Sequence, residues 1–216
     1  MGDRQQYFAT EPAVSSEPTS VELVLPDLRL RLRSDRGVFA RDGVDPGTKY
    51  LLLDAPPPPP GATRVVDIGC GYGPIAITLA RRFPDVTVWA VDVNRRALQL
   101  CRDNADAAGV GGRVIACEPA DVPATLQIDA AYTNPPLRIG RDPLRDLLAG
   151  WIERLTPGAA LVSVVHKHLG SDSLHRWLDA QGWPTERLGS RSGYRLLRTI
   201  RAPADDMAGP TGTERT

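Results

Sequence analysis

The chain has 216 residues, which is enough for one well-buried domain and too few for two of ordinary size. Its 26 basic and 26 acidic residues give a net charge of zero, which argues neither for nor against a polyanionic partner. The cysteines Cys70, Cys101 and Cys117 lack metal-ligand spacing, and no apolar run approaches the ~20 residues that a membrane span needs. We therefore expect a cytoplasmic protein with reduced cysteines, no metal and no membrane segment.

Two short strands are predicted near the N-terminus. Residues 21–33 alternate between apolar and polar side chains around a Pro26-Asp27 turn, which is typical of a β-hairpin. Arg29, Arg31 and Arg33 fall on one face of its second strand. That face is either simply solvated or in contact with phosphate groups, and the sequence favours neither.

The hairpin belongs to an N-terminal extension rather than to a second domain. A short helix is predicted at residues 49–53, and the five prolines of residues 56–60 form a stiff link. We therefore expect residues 1–55 to pack as an accessory layer on a core domain of residues 61–202.

The core domain begins with the stretch VVDIGCGYGP, residues 65–74. Val65, Val66 and Ile68 supply the β-branched body of a buried strand, and alternate glycines then allow a tight turn and a close approach of the backbone to a ligand. Pro74 suits the first turn of a helix. Strand, glycine loop and helix form the first half of a nucleotide-binding βαβ unit.

The spacing of the glycines distinguishes between two cofactors. Dinucleotide enzymes use G-x-G-x-x-G, whereas this loop is G-C-G-Y-G after an acid at Asp67. The loop resembles motif I of the class I S-adenosylmethionine-dependent methyltransferases; a glycine-rich turn without a cofactor is the alternative. The resemblance implies that Gly69 and Gly71 lie against the methionine part of the cofactor and that Asp67 organises the loop and the ammonium end. It also assigns Cys70 and Gly73 to the cofactor site.

A second acid follows the next strand. Residues 86–91 are an apolar run that ends at Asp92, and a carboxylate there can accept both hydrogen bonds of a ribose diol. A dinucleotide enzyme would use it in the same way, and a role for Asp92 or Asn94 in capping the helix that begins near Asn94 is also open. The methyltransferase resemblance adds Val93 to the cofactor contacts. It also implies that Asp121, after the third strand, accepts a hydrogen bond from the adenine amino group. The alternative is that Asp121 is a carboxylate of a surface loop.

The turn Asn134-Pro135-Pro136 follows the fourth strand, residues 128–132. Two successive prolines fix the backbone, so the side-chain oxygen of Asn134 and the carbonyl of Pro135 can point at one place. Two such acceptors hold both N–H bonds of a planar amino group and leave its nitrogen facing a methyl donor. We therefore predict that Asn134, Pro135 and Pro136 form the catalytic turn, with Asn134 also beside the cofactor. A purely structural turn is the alternative.

Six stretches of the sequence occur in an order that is typical of one family. They are GVFARDG (37–43), DPGT (45–48), VVDIGCGYGP (65–74), VDVNRRAL (91–98), TNPPLRIG (133–140) and VVHKHLG (164–170). Together they resemble the small-domain methyltransferases related to ribosomal RNA small-subunit methyltransferase C and large-subunit methyltransferase G, the guanine-N2 enzymes. The resemblance implies S-adenosylmethionine as the cofactor and RNA, ribosomal RNA in particular, as the substrate.

The same resemblance indicates where the substrate binds. Related N-P-P enzymes carry Tyr or Phe after the second proline, where the ring stacks on a flipped-out base, but this chain has Leu137. Stacking on an aromatic ring is worth ~1 to 3 kcal/mol per base, so either a neighbour such as Phe39 or Tyr194 replaces it or the base is held differently. Arg138 either contacts a phosphate or is an exposed arginine at the rim. Phe39, Leu137 and Arg138 are the predicted substrate contacts.

The C-terminal third completes the predicted fold. Its elements are a helix at 142–155, a strand at 160–165, a helix at 173–181 and two strands near 186–188 and 194–200. We predict a Rossmann-like α/β methyltransferase fold, with a seven-stranded, mostly parallel sheet, helices on both faces and an antiparallel C-terminal edge strand. Residues 203–216 are predicted to be a disordered tail.

The predicted reaction is transfer of a methyl group from S-adenosylmethionine to an exocyclic amino nitrogen, with guanine N2 of ribosomal RNA as the first choice. A protein glutamine amide or an adenine amino group would suit the same two acceptors. A non-catalytic cofactor-binding RNA scaffold and a nicotinamide dehydrogenase are rivals from other classes, and the dehydrogenase leaves the N-P-P turn unexplained. The sequence does not predict the oligomeric state.

Overall fold

The computed structural model describes residues 12–136 and 139–202. The predicted tail, residues 203–216, and two predicted substrate contacts, Leu137 and Arg138, lie outside the described residues. Within the described part, seven strands form one sheet and two further strands form a separate hairpin.

The hairpin consists of β1 (Thr19–Val24) and β2 (Arg29–Ser34), which pair in antiparallel register. Side chains of β2 alternate between exposed and buried along its whole length, as the alternating sequence predicts. The leucines of its inner face pack in the same core cluster as the helices that follow. The extension is therefore joined to the main domain by apolar burial.

The arginine face of β2 is exposed to solvent. Each of its guanidinium groups contacts a polar side chain of the chain itself: Arg29 with Glu22, Arg31 with Ser20 and Arg33 with Asp103. Exposed pairs of this kind contribute little to stability. Contact of this face with phosphate groups stays a prediction.

The main sheet has the predicted seven strands. In chain order they are β3 (Arg64–Ile68), β4 (Thr87–Val91), β5 (Val114–Cys117), β6 (Ala130–Thr133), β7 (Ala160–His166), β8 (Thr185–Arg191) and β9 (Tyr194–Ile200). They are arranged β5-β4-β3-β6-β7-β9-β8, with β3 to β7 parallel and β9 antiparallel to both of its neighbours. The mostly parallel sheet and the antiparallel C-terminal strands are confirmed, and β8 rather than β9 is outermost.

Helices cover both faces of this sheet. They are α1 (Pro46–Asp54), α2 (Pro74–Arg82), α3 (Arg95–Ala107), α4 (Arg141–Ile152) and α5 (Ser171–Ala180). One core cluster contains the buried residues of α1 to α3 and the hairpin, and the other contains those of α4 and α5. Val65 belongs to the first cluster and its neighbour Val66 to the second. Because both faces are covered, the central strands β3, β4, β6 and β7 are mostly buried, whereas the edge strand β8 is mostly polar and exposed.

Several elements begin at other residues than the sequence pattern predicts, among them α1 and β6. Helix α1 begins at Pro46 because Asp45 caps it, accepting hydrogen bonds from the N–H groups of Gly47 and Thr48. Strand β6 begins at Ala130, two residues later than predicted, and Ile128 instead forms an isolated bridge with Leu155.

Asn104 connects the hairpin, α3 and the glycine loop. It is 1% exposed, and its Nδ2 donates to the carbonyl oxygens of Arg33 and Tyr72, each at 2.9 Å. Its Oδ1 accepts from the N–H of Arg33 at 2.7 Å. Every polar atom of this buried amide therefore has a partner, as burial of a polar group requires.

No helix in the described ranges is long and apolar enough to cross a membrane. The described residues also contain no group of three or more His, Cys, Asp or Glu side chains that could hold a metal ion. Cys70, Cys101 and Cys117 are buried free thiols.

Candidate active site

The carboxyl ends of the parallel strands meet at one edge of the sheet. Four residues, Ile68, Val91, Cys117 and Thr133, form a single row across β3 to β6. The loops that follow these residues therefore leave the sheet side by side. Ligands of open α/β sheets bind at this edge.

The glycine loop after β3 is fastened to the end of β4. The N–H groups of Gly69 and Cys70 donate to the carbonyl of Val91 at 2.8 and 3.0 Å. Gly69 is exposed at the edge, whereas the side chain of Cys70 is buried in the first core cluster. Of these two predicted cofactor contacts, only Gly69 presents a surface to the edge of the sheet.

The later glycines of the loop differ in their surroundings. Gly71 and Gly73 both have positive φ, +55° and +93°, which other residues rarely adopt. A Cβ on Gly73 would lie 2.7 Å from Sγ of Cys101, whereas a Cβ on Gly71 would meet no atom within 4 Å. The loop is therefore packed tightly against α3 at Gly73 and open at Gly71.

Asp67 is fully buried beneath this loop. Its Oδ2 accepts from the N–H of Ala76 in the first turn of α2 at 3.0 Å, and no described residue bonds its buried Oδ1. Burial raises the pKa of the Asp67 carboxyl to about 8; the bond from Ala76 lowers it in part and the charge of Asp92 raises it further. A buried carboxylate oxygen without a partner is a site for a cationic or N–H donor from a ligand.

Asp92, the second predicted cofactor contact, is bound to the glycine loop. Its Oδ2 accepts from the N–H of Gly71 and its Oδ1 from that of Asn94, each at 2.9 Å. Burial raises the pKa of Asp92 above its ordinary value, although backbone N–H groups, among them that of Val93, oppose the shift. The cap of α3 is Asn94, which accepts from the N–H groups at positions 96 and 97. Asp92 therefore links two loops and does not cap the helix.

Two further predicted cofactor contacts lie along the same edge. Val93 directly follows Asp92 and is half-buried. Asp121 is exposed at the end of the short 3-10 turn Pro119–Asp121, beyond β5. No described residue forms a hydrogen bond or an ion pair with the Asp121 carboxylate. The contact of Asp121 with an adenine amino group stays a prediction.

The side chain of Asn134 is held by residues far away in sequence. Its Nδ2 donates to Oδ1 of Asp45 at 2.7 Å and to Oγ1 of Thr48 at 2.9 Å. Both N–H bonds of the amide are thereby used, and no described residue donates to its oxygen. The residue is half-buried, directly after β6.

The two prolines fix the turn against the glycine loop. Pro136 Cδ lies 3.7 Å from the position that a Cβ on Gly69 would take, and the Pro136 carbonyl accepts from the N–H of Ile139 at 3.1 Å. Pro135 is buried, and no described residue donates to its carbonyl. The Asn134 oxygen and the Pro135 carbonyl are therefore two unused acceptors in one turn, next to the glycine loop.

The aromatic residues considered for base stacking differ in how free their rings are. Phe39 is 52% exposed. Tyr194 is half-buried: its hydroxyl donates to Oδ2 of Asp45 at 3.3 Å and its ring packs edge-on against His166 at 4.9 Å between centroids. Tyr194 is thus engaged by the chain itself, whereas Phe39 keeps a free face.

Asp45 and Thr48 were not predicted as site residues, and Tyr194 was considered only as a substitute ring for base stacking. In the sequence, Asp45 and Thr48 appear only as parts of the stretch Asp-Pro-Gly-Thr, one of the six that are typical of the family, with no role assigned to either. The contacts of these three residues with Asn134 and with one another join residues 86, 89 and 149 positions apart, and no short pattern encodes such pairings.

Comparison with known proteins identifies a family. Residues 29–198 match the family model "Methyltransferase small domain", which covers most of the chain. An uncharacterized protein of Bacillus subtilis, YbxB, is 29% identical over 90% of this chain and 97% of its own length.

Curated relatives with functional names match this chain over a smaller share of their own length. Ribosomal RNA small subunit methyltransferase C of Hahella chejuensis is 32% identical over 80% of this chain and 50% of its own length. Ribosomal RNA large subunit methyltransferase G of Pseudomonas putida is 35% identical over 77% of this chain and 46% of its own length. The chain thus spans about half the length of these two relatives.

Among solved structures, the fold is similar to that of the T. thermophilus 16S rRNA N2 methyltransferase RsmC, determined with AdoMet and guanosine. The TM-score is 0.73 at 21% identity, over 88% of this chain and 52% of the other. At 21% identity this similarity shows that the two folds are alike and nothing more.

Proposed function

The chain belongs to the methyltransferase small domain family, and on that premise we propose that it transfers a methyl group from S-adenosylmethionine to the exocyclic N2 of a guanine in ribosomal RNA. The observation that carries the proposal is the turn of Asn134 and Pro135, where two acceptors without donors from the chain lie beside the glycine loop.

The residues of the glycine loop fit S-adenosylmethionine. The buried, unpartnered Oδ1 of Asp67 suits the ammonium group of its methionine part, which is a cation with N–H donors. The open position at Gly71 suits close approach of the same part to the backbone. Asp92, with both oxygens on backbone N–H groups, keeps lone pairs for the hydroxyls of a ribose. When bound, this cofactor supplies an electrophilic methyl group on a sulfonium.

The turn residues orient the amino group that receives the methyl group. Oδ1 of Asn134 and the carbonyl of Pro135 accept its two N–H bonds, which directs the nitrogen lone pair away from them. As the new C–N bond forms and the bond from the methyl carbon to the sulfonium sulfur breaks, which leaves a neutral thioether, the amino nitrogen becomes positive, and both acceptors would stabilise that charge. The extra proton then leaves to water, because the product cation is acidic.

The choice of guanine N2 in RNA rests on the named relatives. Two relatives, which this chain matches over about half of their length, are named as ribosomal RNA methyltransferases. The solved structure with the similar fold is named as an N2 methyltransferase of 16S rRNA. An adenine amino group or a glutamine amide presents the same two N–H bonds. The substrate therefore has to be identified directly.

The decisive experiment compares the nucleosides of ribosomal RNA, by mass spectrometry, from cells with and without the gene. We expect loss of one N2-methylguanosine, restored by the wild-type gene and not by Asn134→Ala. If all RNA nucleosides are unchanged, guanine N2 in RNA is wrong, and labelling of cell protein with tritiated cofactor then tests a glutamine substrate.

A further inference from the structure

Both N–H bonds of the Asn134 side chain end on residues of the N-terminal extension. Asp45 is 89 residues away and Thr48 is 86 residues away, at the beginning of α1. The distances, 2.7 and 2.9 Å, are those of good hydrogen bonds. A helix outside the core sheet is thus in direct contact with the predicted catalytic side chain.

These contacts matter because an asparagine side chain is nearly symmetric in shape. Rotation by 180° exchanges the oxygen and the NH2 group with almost no change in packing, so only the hydrogen-bond partners determine which end faces the site. The reaction needs the oxygen there. An NH2 group in its place would face the N–H bonds of the substrate, donor against donor.

Asp45 is the partner that distinguishes the two orientations. A carboxylate only accepts hydrogen bonds, so it can face the NH2 group of Asn134 and repels its oxygen. The hydroxyl of Thr48 can donate as well as accept and would tolerate either end. Thr48 therefore strengthens an orientation that Asp45 selects.

Asp45 is itself firmly held. Its Oδ1 also accepts from the N–H groups of Gly47 and Thr48, at 2.8 and 3.1 Å, so the beginning of α1 fixes the carboxylate. Its Oδ2 accepts from the hydroxyl of Tyr194 at 3.3 Å. The Tyr194 ring can come this near because position 47 is glycine: a Cβ there would lie 2.5 Å from its Cε1.

We propose that Asp45 and Thr48 are positioning residues, which fix the Asn134 amide with its oxygen toward the substrate amino group, and that Tyr194 holds Asp45 in place for this task. The inference rests on the proposed function and extends it to the N-terminal extension. In this arrangement α1 is part of the catalytic apparatus, although it lies outside the cofactor-binding unit.

The first test measures kcat on ribosomal RNA from cells lacking the gene, together with cofactor affinity. In Asp45→Ser the serine still caps the helix, but its side chain is one atom too short to reach the NH2 group of Asn134. We expect kcat to fall about 100-fold, as it does when other catalytic groups are misplaced. Thr48→Val keeps the shape and removes the acceptor, so a loss of about 10-fold is expected, and Thr48→Ser should recover most of it. Cofactor affinity should change by less than about 2-fold.

Thr78→Val is the matched control. Thr78 is also a fully buried helical threonine, and its hydroxyl donates to the carbonyl of Pro74 at 2.7 Å, within α2. The same substitution there removes a hydroxyl without touching Asn134, so kcat should be unchanged. Values of kcat within about 2-fold of wild type for both Asp45→Ser and Thr48→Val, with Asn134→Ala inactive, would overturn the proposal.

A second test does not depend on activity. In 15N NMR spectra the side-chain NH2 of Asn134, assigned by its loss in Asn134→Ala, should exchange slowly with water in the wild type and much faster in Asp45→Ser. Fast exchange in the wild type contradicts the positioning of the amide. If the wild type methylates no RNA or protein but its Asn134 amide is protected, the proposed function fails and the positioning stands.

Discussion

Two asparagines of this chain use the same side chain in opposite ways. Asn104 is buried, and its oxygen and both N–H bonds are bound to backbone groups of the chain. Asn134 is half-buried, its N–H bonds are bound to Asp45 and Thr48, and no described residue donates to its oxygen. A polar group whose bonds all end inside the chain holds the fold, whereas one with an unused atom is available to a ligand.

Two aspartates show the same difference. Asp129 accepts from the N–H groups of Thr63 and Arg64 and from the guanidinium of Arg64. Burial opposes its ionisation, but the hydrogen bonds from Arg64 and Thr63 outweigh it and hold the pKa of Asp129 below its ordinary value. Asp67, with one oxygen unbound, has a raised pKa instead. The carboxylate of Asp129 is thus stabilised by the chain itself, whereas the unbound oxygen of Asp67 needs a partner from outside the chain.

The largest expected effect is that of Asn134→Ala on activity. Loss of one preorganised polar group costs about 100- to 1,000-fold in kcat, because that group acts mainly on the transition state. The free energy of unfolding should fall by about 1 to 2 kcal/mol, less than in Asn104→Ala, because the variant loses the bonds to Asp45 and Thr48 but no described residue donates to the lost oxygen. Methyl transfer and thermal unfolding measured on one preparation check both parts.

Asn104→Ala should have the opposite profile. It leaves the N–H and carbonyl of Arg33 and the carbonyl of Tyr72 without partners, so we expect the free energy of unfolding to fall by about 3 kcal/mol. Urea denaturation measures this loss. Activity per folded molecule should stay within about 3-fold of wild type well below the melting temperature. A stable but inactive Asn104→Ala protein would contradict the distinction between the two asparagines.

The open carboxylate of Asp67 predicts pH-dependent cofactor binding. Its pKa in the free protein is raised to about 8, and the ammonium of the cofactor binds the ionised form, so binding below pH 8 must release a proton. Affinity should therefore weaken by about 10-fold per pH unit as the pH falls from 8 toward 6. Calorimetry with S-adenosylhomocysteine, in buffers of different ionisation enthalpy, measures affinity and proton release together. Asp67→Asn should bind weakly with no such dependence, and an equal slope in this variant would rule out Asp67 as its source.

The smallest expected effects come from glycines with positive φ. Gly109→Ala, at φ +70° with no atom within 4 Å of the new Cβ, measures the cost of the backbone conformation alone, about 1 to 2 kcal/mol. Gly73→Ala adds the clash with Cys101 and should destabilise more. Gly71→Ala should match Gly109→Ala in stability but lose cofactor affinity. Equal affinity in the Gly71 and Gly109 variants would show that the open side of the loop does not face the cofactor.

The local parts of the candidate site could be predicted from the sequence. Asp67 lies near the carboxyl end of an apolar strand, Asp92 and Asn134 each follow one directly, and parallel strands bring these ends to one edge. The strand-loop-helix unit and the mostly parallel sheet follow from the same periodic patterns. Most differences at the ends of elements are a few residues, as for β6.

The positioning of Asn134 could not be predicted in this way. The partners of Asn134 are Asp45, the cap of α1, and Thr48 in its first turn, and the sequence gives neither a catalytic role. Tyr194, which binds Asp45, lies at the beginning of β9. The sequence pattern predicts the helix only at residues 49–53, and even a cap signal at Asp45 would indicate only where a helix begins. That one carboxylate both caps a helix and orients an amide is a property of the folded chain.

The place of β9 has a consequence for synthesis of the protein on the ribosome. This strand pairs with β7 along seven residues, from His166 with Tyr194 to Ala160 with Ile200, although it is the last of the described strands to be synthesised. Until it leaves the exit tunnel, β7 has an unpaired apolar edge that can associate with other nascent chains. A chain stalled before Tyr194 would also lack the hydroxyl that holds Asp45. Completion of the sheet and assembly of the site therefore both await the synthesis of β9.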